Sequence, residues 1–254
     1  GCNDGTLLRQ YPQDVKVVKV GIDPAKNLAE ICSPHCDLHL ADYFTKDVYV
    51  SLTGGRKASV ITSIAMFYDL DDPHTFLEGI RQCLDDRGIW ILQFSYTPLM
   101  LAQNAFDNIM HEHLEYYTLL SVRYLLEQHD FKIIDAELND TNSGSLRLTV
   151  ARKNNSLSDA PLFVKNLGEY RCQNLLFYEK QLHMDEPQVY HDFMRRIAIL
   201  KEKTLDLLGK LTREGKTIYG YGASSKGNTL LQYYGIGPNL VRCIAERQPQ
   251  KFGL

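Results

Sequence analysis

Residues 106–121, FDNIMHEHLEYYTLLS, place His111 and His113 around Glu112 and follow them with Tyr116 and Tyr117. Three chemistries use such a set. An imidazole titrates near neutrality, which suits a general base, and a neighbouring carboxylate can orient the ring and stabilise its protonated form. Two imidazoles two residues apart share one face of a strand and could begin a metal site, although zinc usually takes three or four protein ligands. Histidines can also simply satisfy their nitrogens in a polar corner. If His113 is a base and Glu112 its partner, geometry adds a demand. Neighbouring side chains of an extended strand point to opposite faces, so both reach one substrate only where the backbone turns. The stretch is therefore predicted to be irregular.

Two glycine turns could hold ligands. GCNDGTLL (1–8) leads into an apolar helix start, and Asp23 ends the run VVKVGID eighteen residues beyond Gly5. An acid at a strand end about 20 residues after such a turn suits the hydroxyls of a ribose. A pyrophosphate site would prefer G-x-G-x-x-G, whereas Asp4 stands in this turn. A carboxylate is a poor neighbour for pyrophosphate and a good one for a sulfonium or ammonium group, which points to S-adenosylmethionine rather than a nicotinamide dinucleotide. The bland alternative is an ordinary strand-to-helix turn with a solvated aspartate. The second turn, YGYGASSKGNTLL (219–231), carries Lys226 and two serines where backbone N–H groups at a helix start can meet phosphate. Glu246 follows at a distance that keeps a dinucleotide site open there.

Other clusters read as structural. CSPHCDLH (32–39) offers Cys32, His35, Cys36 and His39. Its C-x3-C spacing falls where a helix should hand over to a strand, and structural zinc sites usually bring two ligand pairs separated by a folded loop. No metal is expected there. Asp69, Asp71 and Asp72 follow an apolar run and read as loop and cap residues.

These side chains need elements to position them. The 254 residues are 44% hydrophobic and 23% charged, with a formal net charge of −3. That is ordinary globular composition, and no basic run supports nucleic-acid binding. No apolar run reaches the length of a membrane span, and six scattered cysteines fit reduced thiols in the cytoplasm. Residues 15–23, 36–44, 58–67 and 87–94 read as strands and 24–32 and 71–86 as helices. The run 58–67 is expected to be buried on both faces. After a helix at 119–131, strands at 132–138 and 143–153 form a closing hairpin. Periodicity from about 159 to 213 is helical, and 216–246 returns to strand, glycine turn, helix and strand. The expected architecture is α/β: a Rossmann-like sheet over 1–153, a helical connector over 154–213, and an incomplete second Rossmann-like unit over 214–254.

The segments GCNDGTLL, GIDPAKNLAE, ADYF, FDNIMHEHLEYYTL, SGSLRLTVAR and YGYGASSKGNTLLQYYGIGP, in that order, resemble the sugar C-methyltransferases. These S-adenosylmethionine-dependent enzymes methylate a carbon of a nucleotide-linked deoxyketosugar. The resemblance implies that Gly1, Asn3, Asp4 and Gly5 cradle the cofactor's amino-acid end. Asp23 would hold its ribose, with Asp42 and Tyr43 at its adenine. It implies His113 as base and Glu112 as partner. Tyr96, Tyr117, Arg147 and Lys226 are the expected substrate contacts. Many family members carry tyrosine where Met110 stands, so Tyr96, Tyr116 or Tyr117 must replace that hydroxyl or the enolate is handled differently. The family also has an N-terminal zinc-binding region and a first sheet strand ahead of the glycine turn. The opening at GCNDG without methionine therefore reads as a fragment, and zinc is expected only in that preceding region. Rivals are a methyltransferase for another small molecule and a non-catalytic sugar-nucleotide or dinucleotide-binding module. The oligomeric state is left open.

Overall fold

The computed structural model describes residues 1–12, 14–155 and 161–253, excluding the side chain of Phe163. The first strands and helices are β1 (Val20–Ile22), α1 (Ala29–Cys32), β2 (Leu38–Leu40), α2 (Lys46–Thr53), β3 (Ala58–Ile64), α3 (Pro73–Cys83) and β4 (Leu84–Ser95). Next come α4 (Thr97–Ala102), α5 (Leu119–Glu127), β5 (Phe131–Asn139) and β6 (Ser145–Arg152). β1 pairs in parallel with β2, and β3 in parallel with β4. β6 runs antiparallel to β4 and carries β5 on its far side, giving the order β3-β4-β6-β5. The closing hairpin forms as the alternation of patterns predicts. The expected single, mostly parallel sheet is instead divided into a parallel pair and a mixed four-stranded sheet, because β1 and β3 are not hydrogen-bonded to each other.

Three further expectations shift. Only 20–22 of the run 15–23 form a strand, and 24–32 breaks into a 3-10 turn, Lys26–Leu28, before one turn of α1. The run 58–67 is not buried on both faces, because Val60 is 47% exposed. The reason is pairing: β3 bonds to β4 alone. A cavity of about 800 Å³ lies between its Val60, Ile61 and Ile64 and the Val18, Val20 and Ile22 stretch. α2 and α4 give no periodic signal because they are short. α2 is held by its ends, with Thr45 accepting from Val48 N at 3.1 Å and Gly54 closing it at φ 66°. α3 starts as its Asp-Pro signature predicts, with the Asp72 carboxylate accepting from His74 N and Thr75 N.

The main core lies under β3, β4, β6 and β5. Phe67, Leu77, Trp90, Leu92, Phe94, Phe131, Leu146 and Leu148 are sealed within it. The buried Trp90 N–H donates to Ser63 Oγ at 3.0 Å, so the largest side chain leaves no donor unpaired. The helical connector is two helices, α6 (Leu162–Gln181) and α7 (Pro187–Arg213). The start of the periodicity at 159–160 lies outside the described residues. β7 (Gly220–Tyr221), α8 (Ser225–Tyr234) and β8 (Ile244–Ala245) form the second parallel unit. A second core, including Met100, Leu101, Phe106, Phe193, Ile197 and Tyr234, joins α4, α7 and α8. No described helix is long and apolar enough to cross a membrane.

One buried carboxylate joins these parts. Glu179 on α6 is 2% exposed. It accepts from Tyr96 O–H at 2.7 Å, from Leu119 N, and from Leu120 N at 2.9 Å. It thus fixes the end of β4 and supplies the partner for two free N–H groups at the start of α5. Glu179→Ala strips two buried donors and one partly buried donor of their acceptor, at about 1–3 kcal/mol for each buried one. A loss of about 3 kcal/mol or more in urea unfolding is expected, and a loss under about 1 kcal/mol would refute the tie.

Candidate active site

The glycine turn and Asp23 meet at the carboxyl end of β1. Gly1 N and Cys2 N both donate to Ile22 O, at 3.0 and 3.3 Å. Asn3 and Gly5 take φ of 50° and 77°, the left-handed region that glycine and asparagine tolerate. Asp23 Oδ2 accepts from Asn3 N at 2.8 Å, and Oδ1 accepts from Ala25 N at 2.9 Å. Its remaining lone pairs can still take hydroxyls. Asp4 turns back on its own loop, accepting from Thr6 N at 2.9 Å. Bonds from Thr6 hold its carboxyl below the usual range, so a negative charge is kept in the turn. A Cβ added to Gly1 would lie 3.2 Å from Met66 Cγ. The turn therefore packs against the segment that leaves β3.

That segment carries the other half of the site. The turn Phe67–Asp69 presents Tyr68 O, which accepts from Leu114 N at 2.9 Å and Glu115 N at 3.1 Å. Between β4 and α5 the chain makes an excursion closed at its base. Thr97 N and Oγ1 both donate to Tyr117 O, at 3.2 and 2.9 Å. Within the excursion, a turn brings His113 N to Met110 O at 3.1 Å. Residues 109–118 contain no strand or helix, the irregular backbone expected of this stretch.

His113 is half-buried against the Tyr68 ring, with centroids 4.5 Å apart. Its Nδ1 lies 2.8 Å from Asn108 O. A carbonyl only accepts, so Nδ1 carries the proton and a neutral ring has its lone pair on Nε2. Burial lowers the ring's pKa, against the opposing Asn108 bond, and the Lys226 charge pushes the same way as burial. His113 is thus a neutral imidazole with one defined basic nitrogen. Burial and the Glu112 charge push the Asp69 carboxyl up to about 6, so it gives up its proton less readily than an ordinary aspartate.

The expected residues divide. Gly1, Asn3, Asp4, Gly5 and Asp23 come together in one turn, and His113, Glu112 and Lys226 lie within electrostatic reach of one another. The hydrogen bond expected from Glu112 comes from Asn108 O, and exposed Glu112 acts on the ring through charge alone. Asp42 and Tyr43 are exposed in the loop after β2, where Asp42 Oδ1 accepts from Tyr43 N at 2.7 Å. Tyr96 is sealed in the core and committed to Glu179, which with burial pushes its phenol up. Tyr117 is buried between Phe67 and Phe94, with its hydroxyl unpartnered. Arg147 pairs with Glu137 on the sheet face, in a network with Arg171 and Asp135. His111 is exposed. Asn108, Tyr68 and Met66 carry no sequence signal for their roles. They act through backbone carbonyls or apolar contact, and such roles leave no mark on residue type.

A family profile described as a methyltransferase domain matches residues 1–136. The chain belongs to the methyltransferase-domain family. A second profile, described as a C-methyltransferase C-terminal domain, matches residues 140–254. C-methyltransferase NovU of Streptomyces niveus is 28% identical over 254 residues, covering 100% of this chain and 58% of that protein. The chain thus spans little more than half the length of that relative. Among solved structures, magnesium protoporphyrin IX methyltransferase of Synechocystis PCC 6803 with bound SAH is 14% identical. It has a TM-score of 0.45 and covers 60% of this chain and 71% of that one. The plantazolicin methyltransferase BpumL is 13% identical with a TM-score of 0.45, covering 61% and 75% of the two chains.

The state of His113 can be read directly. Its ring protons, followed by NMR across pH, should titrate with a midpoint below the ordinary value of about 6.5, so the ring stays neutral at neutral pH. Lys226→Ala removes a repelling cation and should raise that midpoint. A wild-type midpoint at or above the ordinary value would contradict a half-buried ring that is neutral and protonated on Nδ1.

Proposed function

We propose that the protein moves a methyl group from S-adenosylmethionine to a carbon of a nucleotide-linked deoxyketosugar. The observation that carries this reading is the His113 ring, whose Nδ1 is occupied by Asn108 O and whose Nε2 has no protein partner among the described residues. Carbon is a nucleophile only after losing a proton, and a neutral imidazole of defined tautomer is suited to take one.

In this reading the Gly1–Gly5 turn holds the cofactor's amino-acid end, with Asp4 facing its ammonium group and Asp23 its ribose. The cofactor supplies an electrophilic methyl on a sulfonium. His113 Nε2 takes the proton from the carbon beside the sugar's carbonyl, and the resulting enolate carbon forms the new bond as the carbon–sulfur bond breaks. Glu112 stabilises the imidazolium by its charge. Tyr116 is the best candidate for the hydroxyl that Met110 lacks. Its O–H lies 3.5 Å from Asn108 O, the carbonyl that also holds His113. Tyr96 and Tyr117 are buried in the core. Lys226 and the N–H groups at the start of α8 would take the nucleotide diphosphate.

The sheet arrangement fits the same reading. β1 and β3 each leave one edge unpaired on the apolar cavity between them. An extended segment of a longer protein, parallel to both, would pair there and complete a continuous sheet. The family's zinc-binding region would lie further towards the amino terminus.

The test uses the full-length protein. Calorimetry should show binding of S-adenosylhomocysteine, and incubation with a panel of 4-ketosugar nucleotides should give a product heavier by one methyl, placed on carbon by NMR. His113→Ala should lower kcat by about 10²–10⁴-fold with cofactor binding intact. Tyr116→Phe should lower kcat more than it changes KM. Methylation of oxygen or nitrogen, or full activity in His113→Ala, would overturn the reading.

A further inference from the structure

A side-chain cluster lies behind the glycine turn that the proposed reaction does not use. Cys2 of the turn, Cys32 at the end of α1 and His39 of β2 bring their ligand atoms within 4.8 Å of one another. Cys32 Sγ lies 3.4 Å from Cys2 Sγ and 3.6 Å from Cys36 Sγ. All are free thiols. Cys32 is sealed from solvent, while Cys2, Cys36 and His39 are half-buried.

The chain makes room for these sulfurs. Gly21, at the centre of β1, is in ordinary strand conformation, so it is not needed for its backbone. A Cβ there would lie 2.7 Å from Cys36 Sγ, 3.1 Å from Cys2 Sγ and 3.2 Å from His39 Cδ2. Any larger residue would fill the space into which three ligating side chains converge. The Cys2–Cys32 and Cys32–Cys36 sulfur spacings are close to the roughly 3.8 Å that two thiolates adopt on one tetrahedral zinc with bonds near 2.3 Å. Three sulfurs and an imidazole also make a complete set for a soft divalent cation. A disulfide would use two of the sulfurs and leave the third thiol with the imidazole unexplained.

We propose that Cys2, Cys32, Cys36 and His39 bind a zinc-class divalent cation. Each bound thiol releases its proton to solvent and ligates as thiolate, and neutral His39 ligates through a ring nitrogen. The ion ties the turn at residues 1–5 to α1 and β2. The site is separate from any zinc carried further towards the amino terminus, and its test does not depend on methyl transfer.

Zinc is measured by elemental mass spectrometry on full-length protein purified without a metal-binding tag. Cys32→Ser should lose one equivalent per chain relative to wild type, and Cys243→Ser, at an exposed thiol outside the cluster, should lose none. Cobalt loading should give a thiolate charge-transfer band and the intense visible bands of a tetrahedral ion. His39→Cys should keep the metal and move those bands to lower energy as sulfur replaces nitrogen. Equal zinc in wild type and folded Cys32→Ser overturns the proposal. So do cobalt bands unchanged in His39→Cys. A Cys2–Cys32 disulfide that forms, with oxygen as the oxidant, when reduced protein is offered zinc in air would overturn it in favour of a redox pair.

Discussion

The arrangement rests on a charge placed where water cannot reach it. Glu179 stands on α6, outside the sheet unit, yet its two oxygens take the hydroxyl at the end of β4 and two N–H groups that open α5. A carboxylate is costly to bury unless its lone pairs are filled, and here hydrogen bonds from both ends of the 97–118 excursion fill them. The excursion can then be irregular at its tip without being loose. Its base is locked by Glu179 and by the double bond of Thr97 to Tyr117 O.

The excursion is also shared between two cores. Phe106 packs with Tyr234 of α8 at 5.3 Å between rings, and Tyr117 packs under the main sheet. The His113 turn lies between these anchors, pinned to the segment that leaves β3 through Tyr68 O. Neither unit alone would set the ring's environment. The sheet unit supplies Tyr68, and the second unit supplies the Lys226 charge. Carboxyl ends of parallel strands are where α/β folds gather ligands, and β1 and β3 both deliver loops to this point.

The two βαβ units repeat one local device. In the first, the carboxylate ending β1, Asp23, accepts from the backbone N–H of Asn3 in the glycine turn. In the second, Glu246, just beyond β8, accepts from Ala223 N at 2.7 Å in the turn after β7. A tight turn with left-handed residues leaves N–H groups without helical partners, and an acid at a neighbouring strand end satisfies one of them. The same pairing that suits a ribose therefore has a structural use, which is why a glycine turn and a distant acid are ambiguous as text.

The sequence by itself determined the succession of elements from 58 to 152 apart from α4, the Asp-Pro start of α3, the closing hairpin and the irregular backbone at Glu112 and His113. Those features follow from periodicity, proline and glycine, whose effects act within a few residues. It also put Asp23 with the glycine turn, because their spacing spans one strand–turn–helix unit. Tertiary structure decided the rest. Asn108 rather than Glu112 orients His113 because a main-chain carbonyl does that work, and every residue has one. Tyr96 went to the core and Arg147 to an ion network because their partners, Glu179 and Glu137, are 83 and 10 residues away. Cys2 reached Cys32 and Cys36 for the same kind of reason, across a β1 whose Gly21 leaves space for sulfur. Contacts of that reach depend on how elements pack, and residue types along the chain do not record it.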